Sequence, residues 1–205
     1  MNVDFKEIFA GPLFKGVRYG EDGKRRTQNA KIIIRQFMRA GFPLGVAMAA
    51  LANAYHESGL SNNAMGDKNA SGRHESVGLF QLRWSDDDRG AGVGMSDKKR
   101  QNPLANTRRI IKETKDYGSK LMQAYRNGAT VGELTVIFGR DIERPADRGV
   151  GRDKTAYKLF GKLANVPAKD LDKAIGVGAI ATVGIPVIIG GTVLLVGIGA
   201  LIARR

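Results

Sequence analysis

The sequence predicts a mostly α-helical domain with one loop-rich lobe, followed by a single apolar segment at its C-terminus. Three observations carry this expectation. Stretches with helical periodicity and recognisable caps recur through the first 165 residues. Between two of them, Leu60–Asp97 has little periodicity and is filled with Asn, Asp, Gly and Ser around one apolar island, Val77–Trp84. Last, Ala174–Ala203 runs for thirty residues without a charge.

Residues 1–26 read as a basic N-terminal arm. Gly11-Pro12 breaks a short amphipathic piece, Val3–Phe9, and Gly16–Arg26 is glycine-rich and charged. No continuous apolar run of the signal-peptide kind opens the chain. Thr27 is placed to cap a helix over about 28–40, with Ile33, Ile34, Phe37 and Met38 on one face and Gly41 as its stop. Phe42-Pro43 then turns into a second helix, Leu44 to Tyr55 and beyond. Its Ala, Leu, Met and Val content suits burial on most sides. Gly59 supplies a left-handed C-cap, which puts Glu57 in the last turn. The negative end of the helix dipole and apolar neighbours such as Leu60 and Phe80 would keep a carboxyl there protonated near neutral pH. A general acid needs that property.

Asn102 as cap and Pro103 at the first helical position open a long helix to about Arg126. Its buried stripe is expected at Leu104, Ile111, Thr114, Gly118, Leu121 and Tyr125. Thr130-Val131-Gly132-Glu133 is a capping box for a short helix ending at Phe138. Gly139–Pro145 reads as a turn, and a last amphipathic helix is expected over about 153–164. Residues 27–165 thus form the globular domain, and Val166–Lys173, with Pro167 and alternating charge, reads as a linker. As a helix, residues 174–203 would reach ~45 Å against a hydrocarbon core of ~30 Å, enough for one membrane crossing with tilt. Glycines seven apart (Gly184 and Gly191, Gly190 and Gly197) lay a small-residue stripe along it that permits close helix packing in lipid.

The chain has no cysteine, which excludes disulfides and thiolate metal sites. Its net charge of +13 favours anionic partners, with clusters at Lys24-Arg25-Arg26, Lys98-Lys99-Arg100 and Arg108-Arg109. No helix-turn-helix, zinc-finger or aromatic RNA-platform pattern accompanies that charge, so no specific nucleic-acid partner is expected. His56 and His74 form no ligand motif, and neither a metal nor a cofactor is expected.

Glu57-Ser58-Gly59, then Gly66-Asp67, then Ser76-Val77-Gly78-Leu79-Phe80-Gln81 together resemble the lysozyme-like superfamily of peptidoglycan-cleaving enzymes. Within it they are most similar to lytic transglycosylases and phage virion-associated, tail-type lysozymes. Asn102-Pro103-Leu104-Ala105-Asn106 and Ile142–Asp147, followed by Arg152 and Ala156-Tyr157, extend the resemblance over roughly Leu44 to Tyr157. It departs where an Ala-Tyr-Asn motif would stand; here the chain has Ala124-Tyr125-Arg126 and Ala156-Tyr157-Lys158.

The resemblance implies an α+β lysozyme-like fold, with a helical lobe and a small lobe around a cleft. It implies Glu57 as catalytic acid/base, and Ser58, Ser76, Gly78, Phe80, Gln81 and Tyr157 as substrate contacts. The glycosidic bond between N-acetylmuramic acid and N-acetylglucosamine is the expected target. A hydrolase would need a second carboxylate, for which Asp67, Glu75 and Asp86 stand open; a lytic transglycosylase would not. Trp84 is either a sugar platform or core.

The expected partners are peptidoglycan glycan strands, a lipid bilayer and other virion or ejection proteins. A C-terminal membrane segment without a signal peptide leaves the domain on the wrong side of the membrane from the wall. Three solutions are open, namely delivery in a virion to the host envelope, residence in an internal virion membrane, and late crossing through a lesion made by another protein; virion delivery is the preferred one. The alternatives are a hydrolytic lysozyme of the same fold and a non-enzymatic virion membrane or channel protein.

Overall fold

A computed structural model describes residues 20–69, 72, 74–83, 91–143 and 150–174 of the chain. Helices dominate it, and one two-stranded antiparallel sheet stands apart from them.

Helix α1 spans Gly20–Arg39. Ala30, Ile33, Ile34, Phe37 and Met38 form its buried face. It begins eight residues before the expected start near 28, so Thr27 lies inside the helix and part of the expected arm is helical. An Asp22–Arg25 ion pair one turn apart supports the extension, as does Arg26, whose guanidinium lies beside Gly59. Such local and tertiary contacts outweigh the poor helix propensity of Gly20 and Gly23.

Helix α2, Leu44–Ser58, is the axis of the molecule: every residue from Leu44 to Ala54 is buried. It is flanked by α1, by α6 (Val131–Phe138), by α7 (Arg152–Phe160) and by α8 (Ala168–Ala174). Small residues let these neighbours close in. A Cβ on Gly45 would overlap Ala168 of α8. The helix stops as expected, with Gly59 at φ 59° and its N–H bonded to the Tyr55 carbonyl at 2.8 Å.

The small lobe holds β1 (Ser76–Val77) and β2 (Leu82–Arg83), with Ser76 opposite Arg83 and Val77 opposite Leu82. Single bridges Met65–Val77 and Lys68–His74 fold the preceding loop onto them. A short helix, α3 (Asp97–Gln101), follows, capped by Ser96. Asn102 and Pro103 open α4 (Pro103–Tyr117), as the sequence indicates. The expected long helix then breaks: Gly118 caps α4, and α5 (Ser119–Arg126) restarts after it. A side chain at 118 would collide with the Thr114 carbonyl, so the close turn requires glycine.

The Thr130–Glu133 capping box is formed. Residues Gly139–Glu143, expected as a turn, wind on from α6 as a π-helical turn. The last expected helix is α7 followed by a 3₁₀ turn, Gly161–Asn165. The segment expected as a linker also differs. Residues 168–174 form α8, which buries Ala168 and Leu171 and whose Ala168 N–H bonds the Ala129 carbonyl at 2.9 Å. Of the charges that suggested a linker, Lys169 is exposed and Asp170 partly buried on this helix.

One core joins the lobes. Phe138 lies 6.0 Å from Phe37 and 6.4 Å from Phe80, centroid to centroid. Among the described residues no helix is long and apolar enough to cross a membrane, and the expected span 174–203 lies outside them apart from Ala174.

Candidate active site

The last turn of α2 presents Glu57, and Asn53 lies one turn earlier on the same face. Arg152, the first residue of α7, meets both. Its Nη2 donates to Glu57 Oε1 at 2.5 Å, and its Nη1 donates to Asn53 Oδ1 at 2.6 Å and to Glu143 Oε2 at 2.5 Å. Arg152 is almost wholly out of water at 1% side-chain exposure and Glu143 nearly so at 5%, whereas Glu57 keeps 22%. The surroundings of Glu57 thus differ from the expectation. The sequence suggested an apolar environment alone, but a buried cation contacts the carboxylate. That cation is oriented rather than loose, because Asn53 also donates to the Ala49 and Thr135 carbonyls at 2.9 Å each. Gly139 leaves the room: a Cβ there would overlap the Arg152 side chain and crowd Asn53 Oδ1. On the same π-turn, a hydrogen bond from Arg140 holds the Asp141 carboxyl below its usual range.

Across from the helix end, the turn Gly78–Gln81 is built by backbone demands. Gly78 has φ 87°, and a Cβ on it would run into the Arg100 carbonyl and Asn106. Gln81 adopts φ 43°, a region that disfavours residues other than glycine. Its side chain donates to the Gly78 carbonyl at 3.0 Å and lies 3.2 Å from that of Ala64. Buried Asn106 clamps the turn, accepting from the Phe80 N–H at 3.1 Å and donating to the Val77 and Arg100 carbonyls. Arg100, fully buried, donates to the carbonyls of His74, Glu75 and Leu82 and to Asp97. The sequence suggested a surface charge at Arg100 and no role for Asn106. Only their contacts with residues around 20–30 positions away distinguish them from exposed neighbours.

Ser58 joins the two halves. Its hydroxyl lies 2.9 Å from the Ala54 carbonyl and 2.8 Å from the Leu79 carbonyl. The helix end and the turn are therefore adjacent, with Glu57 beside the junction.

The other expected site residues are placed as follows. Phe80 is buried against Phe138, in the core rather than on an open groove wall. Ser76 is partly buried in β1, and its carbonyl accepts from the Gly66 N–H at 2.7 Å. Asp67 and Glu75 share the loop lobe through a Glu75 N–H to Asp67 carbonyl bond of 3.0 Å. Asp67 is exposed, while Glu75 is partly buried and 3.6 Å from Arg83. Tyr157, on α7, is half exposed at 51%. His56 shares a 3.1 Å hydrogen bond with Thr155, a second tie between α2 and α7. Trp84 and Asp86 lie outside the described residues.

Chemically, the arrangement offers one accessible carboxyl whose Oε1 is taken by a buried guanidinium. Its Oε2 has no hydrogen-bond partner among the described residues. Such a group can give or take a proton on one side while its charge is compensated on the other.

Compared with known proteins, residues 28–163 match a family model described as phage tail lysozyme. No curated protein and no solved structure matches the chain.

Proposed function

The chain belongs to the phage tail lysozyme family, and from that premise we propose that it is a lytic transglycosylase with Glu57 as its acid and base. Family membership carries a lysozyme-type, peptidoglycan-related activity. The bond, the residue and the product are what the resemblance implies, and the site's geometry supports the residue.

In this reading, protonated Glu57 gives its proton to the oxygen between N-acetylmuramic acid and N-acetylglucosamine as that bond breaks. The resulting carboxylate, compensated by Arg152, then takes the proton of the muramoyl 6-hydroxyl as its oxygen bonds to the sugar C1. A 1,6-anhydro ring closes, no water is consumed, and Glu57 ends protonated as it began. The observation that carries this reading is the junction itself. Glu57 is partly open at the end of a buried helix, and Ser58 hydrogen-bonds that helix end to the Gly78–Gln81 turn. The carboxylate nearest to it through Arg152, Glu143, is buried, which suits a route with one working carboxyl.

Glu57→Gln is expected to abolish clearing on purified cell wall while leaving the melting temperature essentially unchanged. An amide retains the oxygen that accepts from Arg152 but has no acidic proton. Full clearing by this variant would remove Glu57 from the chemistry, and no clearing by the unaltered chain would favour the non-enzymatic virion protein. Mass spectrometry of the released muropeptides decides the route, because anhydro products are one water lighter than hydrolysed ones. Hydrolysed products would transfer the second role to Asp67 or Glu75.

The same reading places the protein in the virion, acting at the host envelope with residues 174–203 engaging a bilayer. Family membership and the uncharged C-terminal stretch support it. Detection in infected-cell cytosol but never in purified particles would overturn it.

A further inference from the structure

The helices that hold the small lobe carry a second feature on their outward side. Arg100 of α3 and Asn106 of α4 point inward to the Gly78–Gln81 turn, while Lys98, Lys99 and Arg108 are exposed. Two adjoining grooves, of about 440 and 350 Å³, run along this outer face and share Lys99, Ala105 and Arg108 in their walls. Lys98 and Leu104 line the first, and Met95 and Lys112 line the second.

Among the described residues, the local carboxylates pair with other cations than the exposed three. Asp97 is taken by Arg100 at 2.6 Å, Glu113 by Arg109 at 3.2 Å and Asp116 by Lys112 at 2.6 Å. Lys98, Lys99 and Arg108 have no carboxylate partner among the described residues. Three cations without a carboxylate partner among the described residues thus line a concave surface that also presents Met95, Leu104 and Ala105.

We propose that this α3–α4 face docks the carboxylate-bearing peptide side chains of the wall polymer and holds the protein on it. This rests on the peptidoglycan reading above. Charge complementarity supplies the attraction, and Met95, Leu104 and Ala105 accept the apolar part of short peptide stems. The peptidoglycan-related activity of the family favours this polymer over other polyanions.

The test is co-sedimentation of the full-length chain carrying Glu57→Gln, in detergent, with insoluble peptidoglycan. The parallel probes are the same glycan stripped of its peptides, vesicles of anionic phospholipid, and duplex DNA. Adding K98Q, K99Q and R108Q is expected to weaken binding to intact peptidoglycan roughly tenfold and to flatten its salt dependence. Removing equal charge at Arg39, Lys120 and Arg126, which line neither groove, is expected to change it less than twofold. Equal losses from both triple variants would reduce the effect to net charge and overturn the proposal. So would equal binding to peptide-free glycan, or a groove-dependent affinity for vesicles or DNA that exceeds that for peptidoglycan. The two readings also fail separately. Groove-dependent binding together with wall lysis by Glu57→Gln sinks only the Glu57 chemistry. Loss of lysis in Glu57→Gln together with unchanged binding by the groove variant sinks only the docking surface.

Discussion

Arg152 gives three hydrogen bonds to side-chain oxygens from a position with almost no water. A buried guanidinium of this kind stabilises its neighbours only while all of them are present. Replacing it with methionine would leave Glu143 buried without this cation and release Asn53 Oδ1. Arg152→Met is therefore expected to lower unfolding free energy by about 3–5 kcal/mol, measured by denaturant titration. Glu57→Gln keeps an oxygen for the same guanidinium and should cost far less. This contrast separates the residue that supports the site from the residue proposed to do the chemistry. The place of Glu57 in the last turn of α2 was legible in the sequence, since the small-residue helix and its Ser-Gly ending locate it. Its cation was not: Arg152 enters 95 residues later, and no local periodicity links the two.

At the scale of elements, the caps other than Thr27 were readable and the departures from regular helix were not. Pro43, Gly59, Asn102-Pro103 and Thr130–Glu133 act on the backbone within four residues, so their effect is written locally. The break at Gly118 turns on a close approach to the Thr114 carbonyl that no sequence pattern marks, and the π-turn after Phe138 answers to space elsewhere. Gly139 is in an ordinary right-handed conformation, φ −56°, so it is not glycine for backbone reasons. It is glycine because Arg152 and Asn53 occupy the volume of a Cβ. Gly139→Ala is expected to cost about 1–3 kcal/mol by overpacking and to reduce wall clearing more than its melting temperature alone would suggest. The π-turn also carries a pH signature. Asp141 has a depressed pKa in the fold because Arg140 donates to it. Its contribution to stability is therefore present above the unfolded carboxylate value of about 3.9 and is lost as pH falls through the lower folded value. Asp141→Asn should lower the melting temperature slightly at pH 7, and the difference should shrink as pH falls below the ordinary carboxylate range, which melting curves across acidic pH check.

At the scale of the molecule, the fold class and the two-lobe plan followed from periodicity and its absence over Leu60–Asp97. The domain's C-terminal limit did not. Alternating charge over 166–173 suggests a linker, yet Ala168 and Leu171 are buried and α8 is seated on α2. Ala168 fills the notch that Gly45 leaves. A chain ending at residue 165 is therefore expected to be less stable than one ending at 174 by about 2 kcal/mol or more, from the lost burial of Leu171 and its neighbours. Comparing the two denaturation midpoints checks this directly. The unit that folds thus runs past the family match at residue 163, because α2 needs covering on its last open side.

The distance along the chain between Glu57 and Arg152 bears on the cell that makes the protein. A ribosome that has passed the first and not the second has produced a carboxyl without its cation and without the helix that carries it. A chain interrupted before Arg152 lacks the cation that contacts Glu57, so the proposed centre is complete only when the two ends of a 95-residue interval come together.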